Sequence, residues 1–141
     1  MKLKIWTKIK FSFAYKKAFD YDQEKEYQKI IDTLENYRTL IDEKPDAFPD
    51  YYILLGEAYF RLTNYHLAEG LFLKALEVLE TTKKLNENET AYLKLYTYRW
   101  LQITYQSLEK YSFKTRYKIL SEKVSYDTNK IRRTIKEYFL N

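Results

Sequence analysis

Residues 52–75 carry the pattern that most constrains the fold of this chain. The stretch reads Tyr-x-x-Leu-Gly-x-x-Tyr from Tyr52 onwards and Ala-x-x-x-Phe-x-x-Ala from Ala68 onwards. Apolar residues at three- and four-residue spacing lie on one face of a helix. Gly56 and Ala68 place small residues on that face, and small residues let two helices approach closely. The stretch therefore predicts two antiparallel helices in close contact, whose motif residues are structural rather than catalytic.

Turn-forming residues are rare in the whole chain, because only 2 glycines and 2 prolines occur among its 141 residues. Hairpins and sheets need such residues, so long helices are the natural outcome. The length fits one domain with a substantial core. Cysteine is absent, which excludes disulfides and thiolate metal sites and is compatible with a cytoplasmic location. We expect a single all-α domain spanning residues 1–141.

Apolar spacing and short polar breaks divide the chain into a series of predicted helices. Pro45 and Pro49 end the second helix, since proline lacks an N–H donor and disfavours helix in the residue before it. Asp127 or Thr128 can cap the last helix. The predicted helices cover residues 7–21, 26–42, 50–62, 65–84, 89–108, 111–126 and 127–140.

Parts of the strong pattern recur on both sides of it. The motif Tyr-x-x-Leu-x-x-Tyr begins at Tyr59 and again at Tyr105, and the two tyrosines of each copy can pack across a helix pair. Upstream, Ala18 and Tyr21 repeat the spacing of Gly56 and Tyr59, although the leucine is missing. The predicted organisation is a strong repeat at residues 49–82, degenerate repeats at 11–44 and 95–126, and a C-terminal helix at 127–140.

The strong repeat resembles the tetratricopeptide repeat. That resemblance implies a right-handed α-solenoid of antiparallel helix pairs, with about three pairs and a C-terminal helix. In this family the first helix of each pair lines a concave groove that binds extended peptides or helices, so the resemblance implies a protein-binding module. The groove residues that it implies are Tyr15, Phe19, Ile53, Glu57, Phe60, Arg61, Tyr96, Arg99, Ile103 and Gln106.

One ligand class of this family is disfavoured. Its chaperone-binding members hold a C-terminal carboxylate with Lys, Asn and Arg side chains along the groove. The matching positions here are Tyr15, Phe19, Leu54, Tyr96 and Trp100. The narrower expectation is therefore a bacterial adaptor or a toxin-neutralising (immunity) partner rather than a chaperone adaptor. Self-association is an alternative, because a terminal repeat with exposed apolar surface can stack on a second copy.

Residues that would support catalysis are scarce. His66 is the only histidine, and no cysteine accompanies it as a metal ligand. Gly56 and Gly70 are the only glycines, so no glycine-rich phosphate loop is present. We therefore expect no enzyme activity, no metal and no cofactor, and we assign no catalytic residue.

The net charge of +5 is unevenly distributed. Basic residues dominate both ends of the chain, and the middle is acidic. Near the C-terminus, lysines and arginines interleaved with Tyr117 and Tyr126 could track phosphates and stack on bases. Nucleic-acid binding is therefore an alternative function. The residues of this possible basic patch are Lys114, Arg116, Lys118, Lys130, Arg132, Arg133 and Lys136.

The N-terminal stretch is basic and amphipathic. As a helix it places Ile5, Ile9 and Phe13 on one side, with Trp6 beside them. A helix of this kind can lie on a membrane surface, but we expect it to dock on its own domain through these residues. No apolar run approaches the roughly 20 residues that cross a bilayer.

Overall fold

The computed structural model describes residues 5–127 and 129–130. Within these residues every regular element is helical, which confirms the all-α prediction. The elements are α1 (Ile5–Gln23), α2 (Tyr27–Glu35), α3 (Arg38–Glu43), a short 3-10 helix (Pro45–Ala47), α4 (Tyr51–Arg61), α5 (Tyr65–Thr81), α6 (Glu87–Ser107) and α7 (Tyr111–Glu122). The predicted C-terminal helix at 127–140 lies mostly outside the described residues.

Each helix packs mainly against its neighbours along the chain. The main contacts join α1 to α2, α2 to α4, α4 to α5, α5 to α6, and α6 to α7. A smaller contact joins α4 to α6. One cluster of buried apolar side chains runs from Phe11 of α1 to Tyr105 of α6. Within the described residues α7 buries no side chain completely, so it forms one edge of this core.

The motif residues of α4 and α5 lie at the centre of the core. Tyr52, Leu55, Ala68, Phe72 and Ala75 are completely buried in the contact region of these two helices. Their burial agrees with the prediction that the motif is structural.

Three turns between helices share one backbone geometry. In each turn, a non-glycine residue has a positive φ and the next residue donates its N–H to the carbonyl of a tyrosine five positions earlier. This is the Schellman arrangement at a helix C-terminus. The positive-φ residues are Lys25, Thr63 and Glu109, and the accepting tyrosines are Tyr21, Tyr59 and Tyr105. These are the same tyrosines that the alignment of the internal repeats pairs with each other, so the turns occur at the positions that this alignment predicts.

The second predicted helix is interrupted in the structure. A continuous helix over residues 26–42 was expected, but α2 ends at Glu35 and α3 begins at Arg38. At the break, the carbonyl of Leu34 accepts hydrogen bonds from the Tyr37 N–H at 3.0 Å and from the buried Tyr51 hydroxyl at 2.7 Å. A hydroxyl from another helix therefore binds the carbonyl where the regular helical ladder stops.

The helix α6 begins two residues earlier than predicted. The Asn86 side chain accepts a hydrogen bond from the Glu89 N–H at 2.8 Å, and the Glu89 carboxylate accepts one from the Asn86 N–H at 3.0 Å. This capping box satisfies N–H groups that have no partner within the helix. The residues that were interpreted as a break are therefore the start signal of α6.

The N-terminal helix does not dock as expected. Phe11, Tyr15 and Ala18 face the core, whereas the four residues that were predicted to dock are exposed. These four are Ile5, Trp6, Ile9 and Phe13. In the part of the chain that the structure describes, no helix is long and apolar enough to cross a bilayer.

Candidate interaction surface

Side chains of α1, α4 and α6 meet around Glu57. Glu57 lies on α4 and is partly buried, and its carboxylate accepts a hydrogen bond from the Tyr96 hydroxyl of α6 at 3.2 Å. The carboxylate of Asp22, near the C-terminal end of α1, is close enough to repel Glu57 electrostatically. Three helices that are distant in sequence thus contribute to one surface.

The two carboxylates of this surface have unusual proton affinities. Burial, together with the negative charge of Asp22, raises the pKa of Glu57 to about 7 against the opposing effects of Tyr96 and Arg61. Burial also raises the pKa of Asp22, although the nearby charge of Arg61 lowers it. Near neutral pH, a further positive charge at this surface would therefore stabilise the ionised forms of the two carboxylates.

Aromatic rings hold Arg61 beside these carboxylates. Its guanidinium lies 5.3 Å from the ring centroid of Trp100 and 6.0 Å from that of Tyr27. Cation–π contacts of this kind stabilise a guanidinium at a partly exposed site. Trp100 is itself fixed by stacking on Phe72, with ring centroids 5.7 Å apart. We refer to Asp22, Glu57, Arg61, Tyr96 and Trp100 as the acidic–aromatic cluster.

Several predicted groove residues do lie at or beside this cluster. Phe60 packs on Trp100 with ring centroids 5.2 Å apart. Phe19 is partly exposed one turn before Asp22 on α1, and its ring contacts Tyr15. With Glu57, Arg61 and Tyr96, these residues form the part of the predicted groove that the structure brings together.

Asp22, Tyr27 and Trp100 were not among the predicted groove residues. The repeat alignment contained a signal for one of them. The offset that pairs Tyr21 with Tyr59 also pairs Asp22 with Phe60, so Asp22 could have been chosen by the same rule. The contribution of Tyr27 has no such signal, because it belongs to α2 and reaches Arg61 only through the packing of α2 on α4.

Tyr15 and Ile53 are part of the core. They are 6% and 3% exposed, respectively. Burial is the main cause that raises the pKa of Asp50, at the N-cap position of α4, to about 6, while the nearby Tyr15 hydroxyl favours the charged form of Asp50. Neither Tyr15 nor Ile53 offers surface to a partner.

The remaining groove residues lie further along α6. Arg99 and Ile103 are exposed, one and two turns beyond Tyr96. Gln106 accepts a hydrogen bond from the Lys114 ammonium of α7. The side chain of Gln106 is therefore engaged with α7 rather than with the acidic–aromatic cluster.

The possible basic patch is spread around α7. Lys114 and Lys118 are four residues apart and share one side of the helix, whereas Arg116 lies two residues from each and points away from them. Lys130 lies beyond the end of α7 and is exposed. Arg132, Arg133 and Lys136 lie outside the described residues. The nucleic-acid alternative remains a prediction.

A cleft of about 490 Å³ lies between α5 and the α2–α3 region. Its wall includes Arg38, which pairs with Glu35 at 3.1 Å and with Asp42 at 3.5 Å. The same two carboxylates accept hydrogen bonds from the hydroxyls of Tyr59 and Tyr52. These charged groups pair with each other and with tyrosine hydroxyls of α4, so the network ties α2 and α3 to α4.

His66 is exposed at this cleft. Among the described residues, no group of three or more His, Cys, Asp or Glu side chains could hold a metal ion.

Comparison with known proteins finds no matching family model, no similar curated protein and no similar solved structure. Functional conclusions therefore depend on the geometry of the described residues.

Proposed function

We propose that this chain is an α-solenoid of the tetratricopeptide type that binds a protein or peptide over the acidic–aromatic cluster, through a basic side chain of the partner. The observation that carries the proposal is the presence of two carboxylates, Asp22 and Glu57, beside the guanidinium of Arg61. An added lysine or arginine would restore the charge balance, and it would also cover partly exposed aromatic rings.

Two structural features support the solenoid interpretation. The turns after α1, α4 and α6 share the same positive-φ geometry. Helices also pack in chain order, with α2 against α4 and α5 against α6. In a solenoid each repeat contacts only its neighbours, and the first helices of successive repeats line one continuous surface. In this interpretation α1, α4 and α6 are those first helices.

The composition of the cluster supports a protein or peptide as the partner. Tyrosine, tryptophan and arginine are the residues most enriched where binding energy concentrates in protein interfaces. Tyr96 and Arg61 supply two of these types on neighbouring helices, while Trp100 is buried and supports the Arg61 guanidinium. Because Arg61 and Trp100 are already held by other rings, binding would require little further ordering of these side chains. An adaptor or toxin-neutralising role would use such a surface.

The proposal can be tested with labelled peptides of equal length whose charged residues are basic, acidic or absent. We expect basic peptides to bind most tightly, and the double variant Asp22→Asn with Glu57→Gln to weaken their binding by about tenfold or more, because charge-assisted contacts are lost. Affinity should rise between pH 6 and pH 8, since the pKa of Glu57 is raised to about 7 and its carboxylate ionises in this range.

The matched control is Glu77→Gln, which removes one carboxylate from an exposed position on α5. It should leave peptide binding unchanged. Equal binding of basic and acidic peptides, or an equal loss in the control, would contradict the proposal. Nucleic-acid binding that weakens steeply with salt would instead favour the basic-patch alternative.

A further inference from the structure

Among the residues that the structure describes, the outward face of α1 takes no part in the core or in the proposed groove. Trp6 and Phe13 are each 72% exposed, Ile5 is 69% exposed, and Ile9 is also exposed. At 3.6 residues per turn these side chains lie on the side of the helix opposite to Phe11 and Tyr15, which enter the core. An isolated exposed apolar residue needs no explanation, but several on one helix face indicate an interaction surface.

The charges around this face all have the same sign. Within residues 5–17 the charged side chains are all lysines, and all of them are exposed. They are Lys8, Lys10, Lys16 and Lys17. The first acidic residue of α1 is Asp20, near the opposite end of the helix. The N-terminal part of α1 is therefore an apolar strip bordered by positive charge.

We propose that this face of α1 docks on the surface of an anionic lipid bilayer. Amphipathic helices with a tryptophan and other large apolar residues on one face and lysines beside them lie in the bilayer interface. The Trp6 indole would sit at headgroup level, while the lysine ammonium groups would reach the phosphates with their apolar stems along the membrane. This proposal is independent of the groove, since none of its residues belongs to the acidic–aromatic cluster.

Charge complementarity favours a bilayer over the other occupants of such a face. Two copies paired through this face by a twofold axis would place the lysines of one helix against those of the other, and like charges repel. A nucleic acid would satisfy the lysines but would leave Ile5, Ile9 and Phe13 without an apolar partner. An anionic bilayer accommodates both the lysines and the apolar strip.

The test uses vesicles of phosphatidylcholine alone and vesicles that also contain phosphatidylserine, with the full chain at constant low salt. Trp6 and Trp100 are the only tryptophans, and Trp100 is buried. In the variant Trp100→Phe, the fluorescence therefore reports on Trp6 alone. We expect its emission to shift to the blue with anionic vesicles and to remain unchanged with neutral ones.

Vesicle sedimentation of the unmodified chain gives a second measurement that does not require Trp100→Phe to fold. Phe13→Ser should weaken partitioning by about tenfold or more, because the transfer of a large apolar side chain is lost. Each of Lys10→Gln and Lys16→Gln should weaken it by about fivefold. The matched control is Tyr111→Ser, which removes an exposed ring from α7 and should leave partitioning unchanged.

Three results would overturn the proposal. The first is the absence of both sedimentation and a blue shift with anionic vesicles. The second is equal binding to neutral vesicles, which would show that the lysines are not used. The third is a blue shift without vesicles that grows with protein concentration, which would assign the face to a second copy of the chain.

Discussion

The ring of Phe72 on α5 lies directly over Gly56 on α4. A Cβ atom at Gly56 would come within 2.7 Å of Phe72 Cε1 and 3.0 Å of Phe72 Cδ1. The ring is completely buried and stacks on Trp100, so it has little freedom to move away. This contact is the physical reason for a glycine in the middle of α4.

Gly56→Ala should therefore destabilise the protein, although alanine is the better helix former. Overpacking costs about 1–3 kcal/mol, and the gain in helix propensity offsets about 1 kcal/mol of that cost. We expect a net loss of up to about 2 kcal/mol in the free energy of unfolding, measured by denaturant titration. Gly70→Ala is the matched control, because a Cβ there meets no atom within 4 Å. The control should stabilise α5 by about 1 kcal/mol, and a loss for both variants would argue against the packing explanation.

Thr63→Gly should stabilise the protein. Thr63 has a φ of 64°, and a β-branched residue is strained in this left-handed region, whereas glycine is not. We expect a gain of about 1 kcal/mol, visible as a higher midpoint of thermal unfolding. Asn64→Gly, at the next position with a φ of −90°, should give no such gain. Equal effects of the two substitutions would show that strain at Thr63 is not relieved.

Asp50→Asn should change the pH dependence of stability. Burial raises the pKa of Asp50 from 3.8 to about 6, so the folded state binds the proton more tightly than the unfolded state does. Tighter proton binding by the folded state contributes to the free energy of unfolding. This contribution is complete below about pH 4 and is lost as the pH rises through about 6. Asparagine cannot ionise, so the variant avoids the loss.

We therefore expect the Asp50→Asn variant to be more stable than the unmodified chain at pH 7, by up to about 3 kcal/mol. At pH 4 the two proteins should be nearly equal. Denaturant titrations of both proteins across this range isolate the contribution of Asp50 from that of Glu57, because Glu57 is present in each. A constant difference at all pH values would refute the assignment of the titration to Asp50.

Tyr51→Phe should weaken the junction between α2 and α3. The substitution removes the buried hydrogen bond from the Tyr51 hydroxyl to the Leu34 carbonyl, which is worth about 1 kcal/mol. Amide hydrogen exchange at Tyr37 should accelerate, because its N–H shares the same carbonyl. Tyr111→Phe removes an exposed hydroxyl and serves as the control, for which neither stability nor exchange at Tyr37 should change.

Local patterns predicted most of the helices and several turns. The apolar spacing of residues 65–84 predicted nearly the whole of α5, because one face of that helix is buried along its length. The aligned tyrosines predicted the turns after α1, α4 and α6, because the Schellman geometry depends on a few consecutive residues. Asn86 and Glu89 formed a start signal that was readable in the sequence but was interpreted as a break.

The surface of the groove was only partly predictable. Offsets within a repeat selected Glu57, Phe60 and Arg61, which lie at or beside the acidic–aromatic cluster. They also selected Tyr15 and Ile53, which the structure buries. Helical spacing defines which side of a helix a residue occupies, but the curvature and packing of neighbouring helices define whether that side is covered.

By itself, the sequence determined the all-α class, the close contact of α4 with α5, and the positions of the turns. These depend on periodicity, small residues and local hydrogen bonds, all of which act over a few residues. Only the tertiary structure decided the break between α2 and α3, the pKa values of Asp50 and Glu57, and the outward orientation of the apolar strip of α1. Each of these depends on which groups from distant parts of the chain come together, and on how much water they exclude.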